Sequence, residues 1–122
     1  MNLEDQLIAA SVNFQGYHRN VIRGTLLSFT RRVVRDTPVD TGRLRGNWQS
    51  TLNVPSNDQL GVRSQSQAIS EASSALARLQ IGNTFWLQNN LPYAAFVENG
   101  TEKMPPAGML RRNLSLLMSK LK

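Results

Sequence analysis

Three consecutive residues, Asp40-Thr41-Gly42, form the triplet that carries the catalytic aspartate of aspartic proteases. That chemistry needs two aspartates that share one proton. The chain contains a single copy of the triplet, and Arg43 and Arg45 follow it closely enough to keep the carboxylate ionised. We therefore expect a structural corner, in which Asp40 accepts backbone N–H bonds and caps a turn while Gly42 relieves backbone strain.

Other groups that could perform catalysis are few. His18 is the only histidine and there is no cysteine, which excludes zinc sites built from several such residues. Two acid pairs, Asp36 with Asp40 and Glu98 with Glu102, have the side chains of a nuclease metal site. Each pair lies near a helix end or turn, where carboxylates usually act as caps. The sequence therefore predicts no catalysis, no metal and no cofactor.

Length and charge set the broad class. A chain of 122 residues fits one domain, and no apolar run approaches the roughly 20 residues that a membrane span needs. The absence of cysteine fits a reducing compartment, and the acidic start of the chain does not resemble a signal peptide. Fourteen Lys and Arg against eight Asp and Glu give a net charge of +6. This balance favours contact with nucleic acid or an acidic protein, although a solvated basic surface explains it equally well.

The longest predicted element is a helix from about Leu7 to Arg35, with a break near Gln15-Gly16. It ends before Pro38, because the residue preceding a proline is pushed out of the α region. One face carries apolar residues at three- and four-residue steps. They are Ile22, Leu26, Phe29 and Val33.

Periodicity and turn residues predict the secondary structure of the rest of the chain. The segments are a strand at 48–53, a polar mobile loop at 54–67, a helix at 68–79, a strand at 84–89, a short helix within 90–100 and a last helix at 107–121. Pro92 and Gly100 punctuate the short helix, whose Tyr93 and Phe96 we expect to be buried. No repeat or linker divides the chain, so we expect a single domain at 1–122.

Arginine pairs are the remaining functional candidates: Arg31-Arg32, Arg43 with Arg45, and Arg111-Arg112. A pair could line a DNA channel or meet acidic neighbours, but solubility is the better explanation of any single pair. Together the three pairs favour an interface role for some of these arginines. No segment resembles a helix-turn-helix, a ribbon reader or an aromatic RNA platform, so we do not expect sequence-specific recognition.

Three segments in order resemble the signature blocks of a known family. They are Thr37–Gln49, Asn89–Gly100 and Pro106–Arg111. These blocks, hereafter blocks one, two and three, are similar to those of small tail-completion proteins. Such proteins are neck or minor tail components of long-tailed, lambda-like bacteriophages and prophages. One departure is Thr101-Glu-Lys-Met104, where typical members carry an aromatic residue or serine after the glycine.

The resemblance implies an α+β fold, in which a small antiparallel sheet is packed by a long N-terminal helix, a short middle helix and a C-terminal helix. It also implies a structural virion protein without catalysis. Copies would assemble in the host cytoplasm into a sixfold ring that completes the head-proximal end of the tail. The ring's partners would be the head connector or stopper and the tail terminator or tail tube, with non-specific DNA contact in the channel. The alternatives are a tail-terminator ring and a basic DNA-binding accessory protein, with a nuclease last.

Two hypotheses about side chains accompany this interpretation. Glu98, a lone acid in an otherwise apolar short helix, is expected to pair with Arg43 or Arg45, within a subunit or across a ring interface. Arg45, Arg111 or Arg112 is expected to face the channel or an acidic neighbouring ring.

Overall fold

The structure, a computed structural model, describes residues 8–16, 18–39, 42–102 and 104–120. The predicted α+β class is confirmed: helices pack against a three-stranded antiparallel sheet. The elements in chain order are β1 (Ile8–Asn13), α1 (Arg19–Asp36), α2 (Arg43–Gly46), β2 (Gln49–Leu52), α3 (Gln65–Ala77), β3 (Thr84–Asn89), α4 (Ala94–Asn99) and α5 (Met109–Lys120).

Strand β3 is the centre of the sheet, with β1 on one side and β2 on the other. Ala10 lies opposite Leu87 and Val12 lies opposite Phe85, and Ser50 of β2 also lies opposite Leu87. Leu87 and Phe85 are buried in the core. Because successive side chains of a strand point to opposite faces, this register turns one face of all three strands toward the helices.

The predicted helix from Leu7 to Arg35 is wrong in its first part. Residues 8–13 form β1, and α1 begins only at Arg19; Leu7 itself lies outside the described residues. The reason is a period of two, since Ile8, Ala10 and Val12 alternate with Ala9 and Ser11 and pack into the core. The sheet therefore has one more strand than the sequence interpretation gave it.

The rest of α1 matches the prediction. Leu26, Phe29 and Val33 are buried on one face, and Ile22 packs partly buried beside them. The helix packs against both α3 and α5. Its apolar stripe thus forms the middle of the core.

Helix α3 begins three residues earlier than predicted, because a capping box starts it. The side chain of Ser64 accepts a hydrogen bond from the backbone N–H of Gln67, and the Gln67 side chain accepts one from the Ser64 N–H. This reciprocal pair satisfies two backbone donors at the start of the helix. The Ser-x-x-Gln spacing of a capping box is present in the sequence and could have predicted this helix start.

Burial in α4 is opposite to the prediction. Tyr93 and Phe96 are 39% and 42% exposed, whereas Ala94, Ala95 and Glu98 are buried. The inner side of α4 consists of the two alanines and the acid, with Val97 partly buried beside them. Phe96 lies on the outer side, and Tyr93 precedes the helix.

Helices α1 and α5 are joined by a polar contact near their ends. The side-chain amide of Asn113 donates to Asp36 Oδ2 at 2.9 Å, and Arg35 Nε lies 3.0 Å from Asp36 Oδ1. The hydrogen bond from Asn113 lowers the pKa of Asp36 below its ordinary value of 3.8; partial burial opposes the shift and Arg35 adds to it. The ionised carboxylate is therefore preferred in the folded state.

The depressed pKa of Asp36 predicts a pH dependence of stability. Because the folded-state pKa is lower than the unfolded one, this contribution is present above about pH 4 and is lost as pH falls through the folded pKa. Asn113→Ala should raise the pKa of Asp36 toward its ordinary value and reduce the acid sensitivity of unfolding. NMR titration of the side-chain carboxyl and urea unfolding between neutral and acidic pH measure the two effects. The control Asn99→Ala, at an exposed residue of α4, should leave the titration unchanged; an unaltered Asp36 titration in Asn113→Ala would contradict the assignment.

Candidate functional site

The corner between α1 and β2 is built around Thr37, at the start of block one. The Thr37 hydroxyl donates to Val33 O at 2.7 Å and accepts a hydrogen bond from the indole N–H of Trp48 at 2.8 Å. Both Thr37 and Trp48 are fully buried. The hydroxyl thus satisfies the indole donor while fixing the end of the helix to the start of the strand.

Arg45 completes this corner from the other side. Its guanidinium donates to the carbonyls of Thr37, at 3.0 and 3.2 Å, and of Arg35, at 3.0 Å. These carbonyls lie at the C-terminal end of α1, where backbone acceptors lack partners within the helix and a positive charge complements the helix dipole. Arg45 therefore acts as a cap of α1, while its predicted position facing the channel or a neighbouring ring stays a prediction.

Two glycines have the backbone conformations that these turns require. Gly42 has φ 87° and ψ −8°, in the left-handed region, directly before α2. Gly100 has φ 80° after α4, and a Cβ there would lie 2.6 Å from Pro106 N. Asp40, which we predicted to cap the first turn, lies outside the described residues.

Blocks one and two are joined by Asn89. Its buried side-chain amide donates to Leu44 O of α2 at 2.9 Å, and its Oδ1 accepts from the backbone N–H of Leu91 at 3.3 Å. The end of β3 is therefore bonded directly to the one-turn helix that follows Gly42.

Blocks two and three are joined by Glu98. This residue is 6% exposed, and its carboxylate oxygens accept from the backbone N–H groups of Leu110, at 2.9 Å, and Arg111, at 2.8 Å. These amides belong to the first turn of α5, which attracts negative charge. The Gly108 N–H also donates to Glu98 O at 3.1 Å.

The predicted pairing of Glu98 with Arg43 or Arg45 within one subunit is therefore wrong. The carboxylate is bound by backbone amides, Arg45 donates to α1, and Arg43 Nε donates to Leu60 O at 2.9 Å. A buried acid in a short helix needs a partner. The sequence predicts an arginine as this partner, because nothing in it shows that the backbone amides at the start of α5 come close to Glu98 in the folded chain.

A set of buried amide side chains holds the segment 56–61, and sequence reasoning missed it. Gln88 accepts from Ser56 N and donates to Ser56 O, both at 2.7 Å. Asn90 and Gln49 each donate to Asp58 O at 2.9 Å. These side chains are at most 4% exposed, so they need hydrogen-bond partners, and the backbone of the segment provides them. The available signal was the two-residue spacing of the amides in Asn47-Trp-Gln49 and Gln88-Asn-Asn90.

Asn47 fixes the end of the same segment. Its Oδ1 accepts from Leu60 N at 2.8 Å, and its Nδ2 donates to the carbonyls of Leu60 and Gly61 at 3.1 and 3.2 Å. The loop predicted at 54–67 thus has defined contacts, while its mobility stays a prediction.

Arg111 and Arg112 differ in what they contact. The Arg112 guanidinium donates to the carbonyls of Ala107 and Gly108, at the start of α5. The Arg111 side chain is exposed and makes no hydrogen bond or ion pair with any residue that the structure describes. Both side chains are exposed, and Arg111 differs from Arg112 in having no hydrogen-bond partner among the described residues.

No group of three or more His, Asp or Glu side chains is placed to bind a metal ion within the described ranges. No helix in this part of the chain is long and apolar enough to cross a membrane. Comparison with known proteins found no matching family model, no similar curated protein and no similar solved structure.

The two roles of arginine predict different costs of substitution. Arg45→Met removes the donors of carbonyls at the end of α1 and should lower the free energy of unfolding by about 1–3 kcal/mol. The control Arg111→Met should change it by no more than about 0.5 kcal/mol, because the side chain is exposed. Urea denaturation measures both, and equal effects would contradict the assigned roles.

Glu98→Gln should also destabilise the fold, by about 1–3 kcal/mol, because the neutral amide has one acceptor oxygen for two backbone N–H groups. The matched control is Glu102→Gln, at an exposed acid four residues later. Urea denaturation at neutral pH measures both variants. A Glu98→Gln protein as stable as the wild type would show that the carboxylate does not hold α5.

Proposed function

We propose that this chain is a structural protein of the phage neck. Copies form a ring that completes the head-proximal end of the tail and joins it to the capsid connector around the DNA channel. The observation that carries the proposal is that the three blocks resembling the tail-completion family contact one another. Asn89 bonds block two to block one, and Glu98 bonds block two to block three.

This arrangement supports a role in assembly because it is rigid where the blocks meet. The Thr37 corner fixes α1 to β2, and Glu98 fixes α4 to α5. A closed ring needs subunits of constant shape, since angular errors accumulate around the circle. The residues that carry the resemblance are thus residues that set the shape of the subunit.

The distribution of arginine also supports contact with acidic partners. Arg23, Arg45 and Arg63 donate to backbone carbonyls and so contribute to the fold. Other arginines are exposed and make no side-chain hydrogen bond to a described residue: Arg19, Arg31, Arg78 and Arg111. In the proposed ring, this second set meets DNA phosphates or acidic neighbours.

Deletion of the gene from its phage or prophage tests the role. We expect full heads and tails of normal length that fail to join, counted by electron microscopy of lysates, with joining restored by the wild-type gene. Overlong tails would identify a terminator instead. Joined particles of normal yield would refute both virion roles, and salt-dependent DNA binding by the isolated chain would then favour the accessory protein.

Charge reversal at Arg111 tests the proposed surface separately. Arg111→Glu should fold with unchanged stability and reduce infectious yield by at least about tenfold, since it places like charge against an acidic neighbour. Plaque assays in the complemented deletion strain measure the yield. The control Arg78→Glu makes the same change at the end of α3; equal yields from the two variants would argue against a specific role for Arg111.

A further inference from the structure

The two edges of the sheet differ in protection, and the β2 edge is covered. The backbone N–H of Ser50 donates to Glu71 Oε1 at 2.9 Å, and Arg63 donates to Trp48 O at 2.9 Å. Arg63 and Glu71 also pair with each other at 3.1 Å. Charged side chains on an edge prevent another strand from adding to it.

No residue that the structure describes covers the β1 edge in this way. The Phe14 N–H donates to Asn83 O at 2.8 Å. In an antiparallel pair every second residue of a strand hydrogen bonds to its neighbour, so this bond shows which residues of β1 face β3. Ile8, Ala10 and Val12 therefore bond to β3, whereas the N–H and C=O groups of Ala9, Ser11 and Asn13 point away from it. No described residue outside the sheet hydrogen bonds to the backbone of Ala9 or Ser11.

The sequence of β1 also lacks the devices that keep strand edges apart. Its six residues, Ile-Ala-Ala-Ser-Val-Asn, include no charge and no proline. The side chains of Ala9 and Ser11 are small and exposed, so another backbone can approach closely. An open, uncharged edge of this kind fits an extended strand.

We infer that the β1 edge pairs with β1 of a second copy of this chain, antiparallel and centred on Ser11. In this register the outward backbone groups of Ser11 meet those of the second copy's Ser11. Those of Ala9 meet the second copy's Asn13, and the reverse pair follows by symmetry. All three outward residues thus find partners, and two sheets become one sheet of six strands.

Self-complementarity and small side chains favour a second copy as the occupant. The net charge of +6 opposes contact between basic surfaces of two copies, so an uncharged edge is where two copies can approach. The β1 edge is uncharged, and its self-pairing places serine beside serine and alanine beside asparagine. This two-fold contact closes on itself and does not rest on the proposed ring, whose subunits need a head-to-tail contact.

Sedimentation equilibrium over a concentration series tests the pairing. The wild type should form a dimer of twice the 13.6 kDa chain mass. Ser11→Lys should raise the Kd about tenfold or more, because it opposes two like charges across the axis. Ser73→Lys, at an exposed position of α3, is the matched control and should dimerise like the wild type.

Ser11→Pro provides a second variant that spares the ladder within the chain. The N–H of Ser11 points away from β3, so proline removes only the bond to the second copy. Circular dichroism verifies the fold of each variant. A monomeric wild type at every concentration, or a dimer that survives both substitutions, would overturn the inference.

Disulfide trapping identifies the register. The chain has no cysteine, so Ser11→Cys under mild oxidation can form a disulfide only between two copies. We expect rapid cross-linking of Ser11→Cys and slow cross-linking of Ser73→Cys. Equal rates would overturn the β1 pairing. Hydrogen exchange adds a last check: amides of Ala9 and Ser11 that stay protected in dilute monomer would show that this chain covers its own edge.

Discussion

The buried hydrogen bond between the Thr37 hydroxyl and the Trp48 indole is the contact on which the rest of the structure depends. It joins the end of α1 to the start of β2 at a point where no solvent reaches either side chain. Arg45 completes the joint by binding the last carbonyls of α1. A buried indole N–H without an acceptor would cost free energy, so Trp48 must stay next to the Thr37 hydroxyl. This single hydrogen bond within the apolar core therefore fixes the angle between α1 and the sheet.

Polar side chains hold several segments of this fold in place by hydrogen bonding to their backbone. Amide side chains within or beside β2 and β3 bind the backbone of segment 56–61 in the way that a neighbouring strand would. Glu98 caps α5 from another helix, and Arg23 donates to carbonyls at the end of α3. A small domain has a limited apolar core, and these bonds specify how its segments are placed. Fewer arginines are free to meet partners than the basic composition suggests, because several of them bind backbone carbonyls within the fold.

Several features could be predicted from the sequence because their causes are local. The apolar face of α1 and its end before Pro38 follow from spacing and backbone sterics, and the structure has both. Strand β1 differs from the prediction although its alternation is also local, because helical spacing further along the chain extends over the same residues. Helix α3 starts earlier than its apolar spacing indicates, because the Ser64–Gln67 capping box sets its first residue.

The α+β class, most of the elements and the resemblance to tail-completion proteins follow from the order and spacing of the residues. The partners of the charged and amide residues depend on the folded arrangement of the chain. Glu98 binds amides twelve and thirteen residues away, and Asn113 reaches Asp36 across 77 residues. Local spacing cannot report such contacts, because they depend on which helix ends and strand edges folding brings together. For the same reason, the triplet that begins at Asp40 is informative through its neighbours Thr37, Arg45 and Trp48, which build the corner that follows α1.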